Sequence, residues 1–194
     1  MFRRWYGSPK ATKRPEFMRL LKFLRVSKKD VFCDLGCGYA DPCIWVSKKI
    51  KLAIGIENNC YRVCKALVNV QKSNNNNIKI LKMNIENADY ENVSIIYTVI
   101  DLAIKDYKKI QRYTKDGTRL VICYPPPYPL KSKYAGDGYY VMTRPFERVN
   151  NTNEYARCIL NRKKSTIEDV YKWLGRTELK WQISRADWIW KQIH

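Results

Sequence analysis

The chain has 194 residues, of which 45% are hydrophobic, and 37 Lys and Arg against 18 Asp and Glu give it a formal net charge of +19. This length suits a single domain with a full core. No apolar stretch approaches the roughly 20 residues that cross a bilayer, and no signal-peptide pattern opens the chain. We therefore expect a cytoplasmic protein whose seven cysteines stay reduced as small hydrophobes.

Apolar periodicity and turn signals predict alternating helices and strands. The predicted helices cover Glu16–Leu24, Pro42–Lys49, Cys60–Gln71 and Ile104–Tyr113. The predicted strands cover Val31–Leu35, Leu52–Glu57, Ile78–Met83, Val93–Ile100 and Thr118–Tyr124. Such alternation is typical of an α/β fold with a parallel, doubly wound, Rossmann-like sheet and helices on both faces.

Two helices have apolar faces that we expect to enter the core. The first face consists of Phe17, Leu20, Leu21 and Leu24, with Phe23 also assigned to the core. The second consists of Val63, Leu67 and Val70. The polar run 74–77 between elements is expected to be a turn.

After residue 130 the sequence gives only short-range signals of secondary structure. Lys131–Gly138 is predicted to be a mobile loop, and Tyr139–Phe146 a strand. A capping box at Ser165–Glu168 starts a helix that Gly175 ends. Trp181, Trp188 and Trp190 are expected to serve as core or as cover for the sheet edge.

These elements predict one domain spanning residues 1–194. Residues 1–29 form a basic amino-terminal lead and helix, residues 30–130 the ligand-binding core, and residues 131–194 a carboxy-terminal extension. We expect no metal site, because the sequence lacks a C-x-x-C pair and its single histidine is His194.

The most informative segment is Asp34-Leu35-Gly36-Cys37-Gly38-Tyr39-Ala40, which follows the first predicted strand. Glycines let the backbone approach a ligand closely, and the helix that follows presents free amides to it. A dinucleotide fingerprint requires a third glycine where Asp41 stands, and a P-loop requires a Gly-Lys-Ser/Thr that is absent. Glu57 ends the second strand, where it could accept hydrogen bonds from a ribose diol.

This pattern resembles the first motif of the class I, seven-stranded S-adenosylmethionine-dependent methyltransferases, with Ala40 in place of the third glycine. Alanine fits there if its φ is negative. The resemblance extends to small archaeal protein-lysine methyltransferases of this type. It is carried by Ser8–Thr12, Val26–Asp30, Lys82–Asn84 and Asp116–Val121.

The resemblance implies S-adenosylmethionine as cofactor and an N-methyltransferase activity. In that family the lead segment folds over the cofactor, and an Asp or Asn after strand three contacts adenine. The expected cofactor-binding residues are Thr12, Asp34, Gly36, Cys37, Gly38, Glu57, Asn58, Asn84 and Ile85. An aromatic or carboxylate-lined channel would help to deliver a neutral lysine amine, and the candidates for it are Tyr97, Asp101 and Tyr124. The alternative for each tyrosine is to cover the edge of the core.

The chain departs from that family at the end of strand four, Tyr97–Asp101, and in the proline segment Cys123–Pro129. Pro126-Pro127-Tyr128 is similar to the Asn/Asp-Pro-Pro-Tyr signature of enzymes that methylate planar amines. However, it follows strand five, whereas the signature follows strand four, and Tyr124 and Pro125 precede it. We favour a stiff polyproline loop that shapes the wall of the cleft.

The basic residues are concentrated near the start of the chain, where residues 1–30 hold ten Lys and Arg against Glu16 and Asp30. This excess favours an acidic partner, RNA or DNA first and an acidic protein surface second, although it could serve solubility alone. The acceptor predicted from the resemblance is protein lysine. The alternatives are an RNA or DNA methyltransferase and a catalytically silent fold that binds nucleic acid.

Overall fold

The computed structural model describes residues 12–161, 166–174 and 176–194. The helices of this part of the chain are α1 (Arg14–Leu24), α2 (Asp41–Ser47), α3 (Cys60–Ser73), α4 (Ile104–Tyr113), α5 (Thr152–Leu160), α6 (Ile167–Leu174), α7 (Arg176–Ser184) and α8 (Ala186–Ile193). The strands are β1 (Val31–Leu35), β2 (Leu52–Glu57), β3 (Ile78–Lys82), β4 (Ile95–Thr98), β5 (Arg119–Ile122), β6 (Lys133–Gly136) and β7 (Tyr139–Thr143).

The strands form a seven-stranded sheet in the order β3-β2-β1-β4-β5-β7-β6. β1 pairs in parallel with β2 and β4, and β2 pairs in parallel with β3. β7 is antiparallel to both β5 and β6, so the sheet is mixed rather than parallel throughout. The predicted α/β, Rossmann-like fold class is confirmed.

The chain divides into two compact units, the first ending at Asp101 and the second beginning at Leu102. In the first unit, β1 to β4 run parallel, so their carboxyl ends lie along one edge of the sheet. This edge is where open α/β sheets bind ligands. Asp34, Glu57 and Asn84 lie at or just after the ends of β1, β2 and β3.

Helix α1 buries the predicted face of Phe17, Leu20, Leu21 and Leu24. The core assignment of Phe23 is wrong, because 46% of this residue is exposed. At 3.6 residues per turn, Phe23 lies about 110° around the helix from the centre of the buried face. It therefore points away from the sheet.

Helix α3 buries Val63 and Ala66, whereas the predicted core residue Leu67 is 50% exposed. β3, the strand beside which α3 packs, is the edge strand of the sheet. The sheet therefore covers only part of the apolar face of α3. The run 74–77 is a turn as predicted, and Asn77 Nδ2 donates to the carbonyls of Ser47 and Ile50 at 2.8 and 3.1 Å.

In the second unit, the segment predicted to be a mobile loop, Lys131–Gly138, instead contains β6. Pairing with β7 orders it, and this long-range contact leaves no local signal in the sequence. The predicted strand Tyr139–Phe146 is the shorter β7.

The carboxy-terminal segment forms α7 and α8, and α8 packs on α4. Trp188 is 47% exposed, so it is not a core residue, whereas Ile189 and Ile193 are buried. Trp181 and Trp190 are half-buried. Ser165 of the predicted capping box and the predicted stop Gly175 lie outside the described residues.

All seven cysteines are free, but they do not share one environment. Cys33, Cys37 and Cys43 are buried as the small hydrophobes expected, whereas Cys60 and Cys64 on α3 are exposed. Within the described ranges, no helix combines the length and apolar character needed to cross a membrane.

Candidate functional site

The turn between β1 and α2 is built on left-handed backbone. Gly36 and Gly38 have φ of +79° and +55°, a region that glycine enters without steric cost. An ideal Cβ on Gly38 would meet no atom within 4 Å, so its outer side is open. Ala40 also has a positive φ, +68°, so the condition of a negative φ, under which alanine fits this position without strain, is not met. The alanine keeps the turn of a glycine at a conformational cost.

The glycine turn also packs closely against the backbone of β2. A Cβ built on Gly55 would lie 2.7 Å from Cys37 Sγ, a distance that only glycine avoids. The amides of Gly36 and Cys37 both donate to the Ile56 carbonyl, at 2.8 and 2.9 Å. Gly55 is a site residue that sequence reasoning missed, although a glycine inside a predicted strand is itself a signal of close backbone approach.

Glu57 is 4% exposed and ties three backbone amides together. Its Oε1 accepts from the amides of Asn58 and Asn59 at 3.0 Å each, and its Oε2 accepts from the amide of Gly38 at 3.1 Å. A carboxylate offers about four lone-pair positions, so one position at Oε2 remains. Arg62 Nη1 lies 3.9 Å from the same oxygen. Glu57 thus holds the glycine turn and can also accept one further donor.

Asp34 is 2% exposed, and its Oδ2 has no hydrogen-bond partner among the described residues. Burial first, and then the charge of Glu57, raise the pKa of Asp34 to about 8. A buried carboxylate without a donor is costly, and a cationic donor at this edge would satisfy it. The amino group of S-adenosylmethionine is such a donor, and its ribose hydroxyls suit the remaining position on Glu57. The residues present therefore fit this cofactor.

The structure brings Asn58 and Asn84 together from the ends of β2 and β3. Asn58 Nδ2 donates to Asn84 Oδ1 at 3.1 Å. Ile85 follows in a 3₁₀ turn, Ile85–Asn87, and is half-buried. Asn58 directly follows Glu57 and is bonded to Asn84. The predicted adenine-contact residues and the predicted ribose acceptor therefore belong to one edge of the first unit.

Tyr97 and Thr12 also meet in this unit, because Thr12 Oγ1 and Tyr97 Oη form a hydrogen bond of 2.7 Å. Tyr97 is buried next to Asp34 in the β1–β4 register. Its ring packs on Phe17 and Phe32 at centroid distances of 5.2 and 5.8 Å. Tyr97 thus combines a core ring with a hydroxyl that anchors the end of the lead segment.

The two remaining candidates for the acceptor channel, Asp101 and Tyr124, differ in exposure. Asp101 is exposed and ends the first unit. Tyr124 belongs to the second unit, where it is buried and its hydroxyl accepts from the Leu102 amide at 2.6 Å. This contact fits the core-edge alternative for Tyr124.

The proline segment is packed inside the second unit. The Pro126 carbonyl accepts from Tyr155 Oη at 2.6 Å, and the Tyr128 ring lies edge-on to the Tyr155 ring with centroids 5.3 Å apart. The Tyr128 amide donates to Gln182 Oε1 at 2.8 Å. These contacts favour a structural role over an amine-binding one. No group of three or more potential metal ligands occurs among the described residues.

No protein-family model matches the chain. A protein-lysine N-methyltransferase of Saccharolobus islandicus is 30% identical over 108 residues, which cover 53% of this chain and 67% of that protein. An RNA methyltransferase from Salinibacter ruber, solved with S-adenosyl-L-homocysteine, gives a TM-score of 0.58 at 22% identity over 73% of this chain and 98% of that one. A precorrin-6y methyltransferase from Geobacter metallireducens gives a TM-score of 0.53 at 18% identity over 58% of this chain and 62% of that one. Sequence similarity to the first and the shared fold of the other two show that the chain belongs to the class I S-adenosylmethionine-dependent methyltransferases.

Proposed function

We propose that this enzyme methylates the side-chain amine of lysine in proteins. The observation that carries the proposal is the 30% identity to a protein-lysine N-methyltransferase over 108 residues. That stretch covers 67% of the relative, enough to contain a cofactor-binding core. The fold neighbours act on other acceptors by name, so the fold alone does not select lysine.

In the proposed site, the glycine turn lets the cofactor approach the backbone at Gly36, Cys37 and Gly38. Asp34 holds the amino group and Glu57 one ribose hydroxyl. This assignment uses the two carboxylates that the fold buries at adjacent strand ends.

The other proposed contacts surround the adenine and the entrance. The Asn58–Asn84 pair offers polar edges to the adenine, and Ile85 offers an apolar face. Thr12, anchored on Tyr97, brings the end of the lead segment to this edge.

The cofactor supplies an activated methyl group on its sulfonium, so the protein has mainly to align the acceptor, exclude water and leave the nitrogen lone pair free. We propose that the exposed Asp101 contributes to the acceptor channel, whereas Tyr124 covers the edge of the core in the second unit, where its hydroxyl accepts from the Leu102 amide. For Tyr97 we propose a positioning role, because its hydroxyl is bonded to Thr12 and its ring is packed in the core.

The charge supports RNA or DNA as a second candidate acceptor. The net charge of +19 and the ten basic residues within 1–30 suit a polyanion. The silent-fold alternative is set aside, because the family is one of enzymes. We also propose a cytoplasmic location, which the free thiols support.

The deciding experiment transfers labelled methyl from S-adenosylmethionine into extract of the source cells, followed by protease or nuclease. Label lost only to protease and recovered as methyllysine after hydrolysis supports the proposal. Label lost only to nuclease refutes lysine and supports the second candidate. The Asp34→Asn variant serves as the control for background transfer, since it lacks the carboxylate assigned to the cofactor.

A further inference from the structure

The amino-terminal edge of the first unit carries a group of exposed lysines that the cofactor site does not use. Lys28 and Lys29 precede β1, and Lys48, Lys49 and Lys51 precede β2. We name these five residues the lysine edge. β1 and β2 are parallel neighbours, so both turns emerge at the edge opposite to Asp34 and Glu57. At about 3.3 Å per residue, the five residues of β1 separate the two edges by roughly 16 Å.

The two lysine-bearing turns are held side by side by backbone hydrogen bonds. The Lys51 amide donates to the Asp30 carbonyl at 2.9 Å. Asn77 Nδ2 fixes the second turn through the Ser47 and Ile50 carbonyls. The lysine backbones are therefore in fixed relative positions, which lowers the entropy lost when a ligand binds several of them together.

The charge of the lysine edge is not neutralised from within. None of its lysines forms an ion pair with another described residue. Asp30, which directly precedes β1, is buried. Its carboxylate accepts from Ser27 N at 2.7 Å and from Ser94 Oγ at 2.9 Å. Asp89 and Glu91 lie in the turn before β4, where the Glu91 amide donates to Asp89 Oδ1. Five lysines thus outweigh three acids at this edge.

An exposed aromatic residue extends the patch. Phe23 lies in the last turn of α1, between the exposed Lys22 and Arg25, and α1 leads directly into Lys28. An exposed aromatic ring beside cations offers a stacking platform to an unpaired base. This combination of cations and a ring is the one used to bind single-stranded nucleic acid, so it favours that partner over a polyanion that has no bases.

We propose that the lysine edge and Phe23 form a docking surface for single-stranded RNA, with the lysines on the phosphates and Phe23 under a base. The surface faces away from the cofactor edge, so it binds RNA whether or not RNA accepts the methyl group.

The test compares two full-length variants in binding a fluorescein-labelled oligouridine 20-mer by anisotropy. The first replaces Lys28, Lys29, Lys48, Lys49 and Lys51 with Gln. The matched control replaces five exposed lysines away from that edge, Lys65, Lys108, Lys133, Lys180 and Lys191, so both variants lose the same net charge. We expect the first variant to bind on the order of tenfold more weakly, with a log–log salt slope reduced by up to about 3.5, and the control to change about twofold.

Two further measurements complete the test. Phe23→Ala should weaken binding by about fivefold or more, since base stacking is lost. Affinity for S-adenosyl-L-homocysteine should be the same in all variants, which separates this surface from the cofactor site and from misfolding. Equal losses in the five-lysine variant and its control refute a localised surface. Displacement of the RNA by polyglutamate as effectively as by unlabelled RNA assigns the surface to acidic proteins and overturns the proposal.

Discussion

Replacement of Glu57 by Gln tests whether this residue both supports the glycine turn and binds the ribose. The Gln amide oxygen can still accept from the Asn58 and Asn59 amides, which bond Oε1 at 3.0 Å. Its NH₂ group, however, faces the Gly38 amide, so one buried donor loses its acceptor. We expect the free energy of unfolding to fall by about 1–3 kcal/mol.

The same substitution removes the lone pair that we assign to the ribose. A hydrogen bond to a charged group contributes about 1.5–3 kcal/mol, which corresponds to a loss of about 10- to 150-fold in cofactor affinity. Calorimetric titration with S-adenosyl-L-homocysteine measures the affinity, and urea unfolding measures the stability. The wild type should prefer this ligand over its 2′,3′-dideoxy analogue, whereas the variant should bind the two equally.

Arg62→Gln is the matched control. Arg62 Nη1 lies 3.9 Å from the Glu57 carboxylate but is 51% exposed, so we expect a change of less than about 1 kcal/mol in either measurement. A folded Glu57→Gln variant whose affinity lies within about twofold of the wild type would falsify the ribose assignment. Equal losses for both ligands would show that Glu57 acts only through the turn.

Three further changes test other parts of the site. Asp34 has a pKa of about 8 when folded against 3.8 when unfolded, so folding takes up a proton between these values and stability falls as pH rises through this window. Asp34→Asn should therefore gain stability relative to the wild type from about pH 5 to about pH 8 in urea unfolding, while it loses cofactor affinity; parallel pH profiles would contradict this. Ala40→Gly relieves the left-handed backbone and should raise the melting temperature by about 2–4 °C, as scanning calorimetry can show, whereas an unchanged or lower value would mean that the turn is not strained. Tyr97→Phe keeps the packed ring but loses the bond to Thr12, so KM for S-adenosylmethionine should rise about fivefold with kcat little changed, and the double variant with Thr12→Val should add nothing further; a fall in kcat alone would favour a catalytic role.

Much of the fold up to α4 was predictable because its signals are local. β1, β2 and α4 match the predicted bounds residue for residue, since strand-length apolar runs and a helical stripe sit between clear turn residues. The glycine turn and Glu57 were found for the same reason. Their order along the chain requires a parallel sheet, and a parallel sheet gathers its strand ends at one edge.

The failures arose where a neighbour distant in sequence decides the outcome. Leu67 is exposed because β3 lies at the sheet edge, and Lys133–Gly136 is a strand because β7 pairs with it. Phe23 is a different case, because its angle on α1 follows from the spacing of the buried face alone, and the sequence therefore contained the signal that it lies in solvent.

By itself the sequence determined the fold class, the cofactor family and the carboxylates at the strand ends, because each depends on residue types at short, fixed spacings. Only the tertiary structure decided what those residues touch. It left Asp34 Oδ2 without a donor, filled three positions on Glu57 and joined Tyr97 to Thr12 across 85 residues of chain. Burial and hydrogen-bond partners depend on atoms that packing brings together, and no pattern within a short window of sequence contains them.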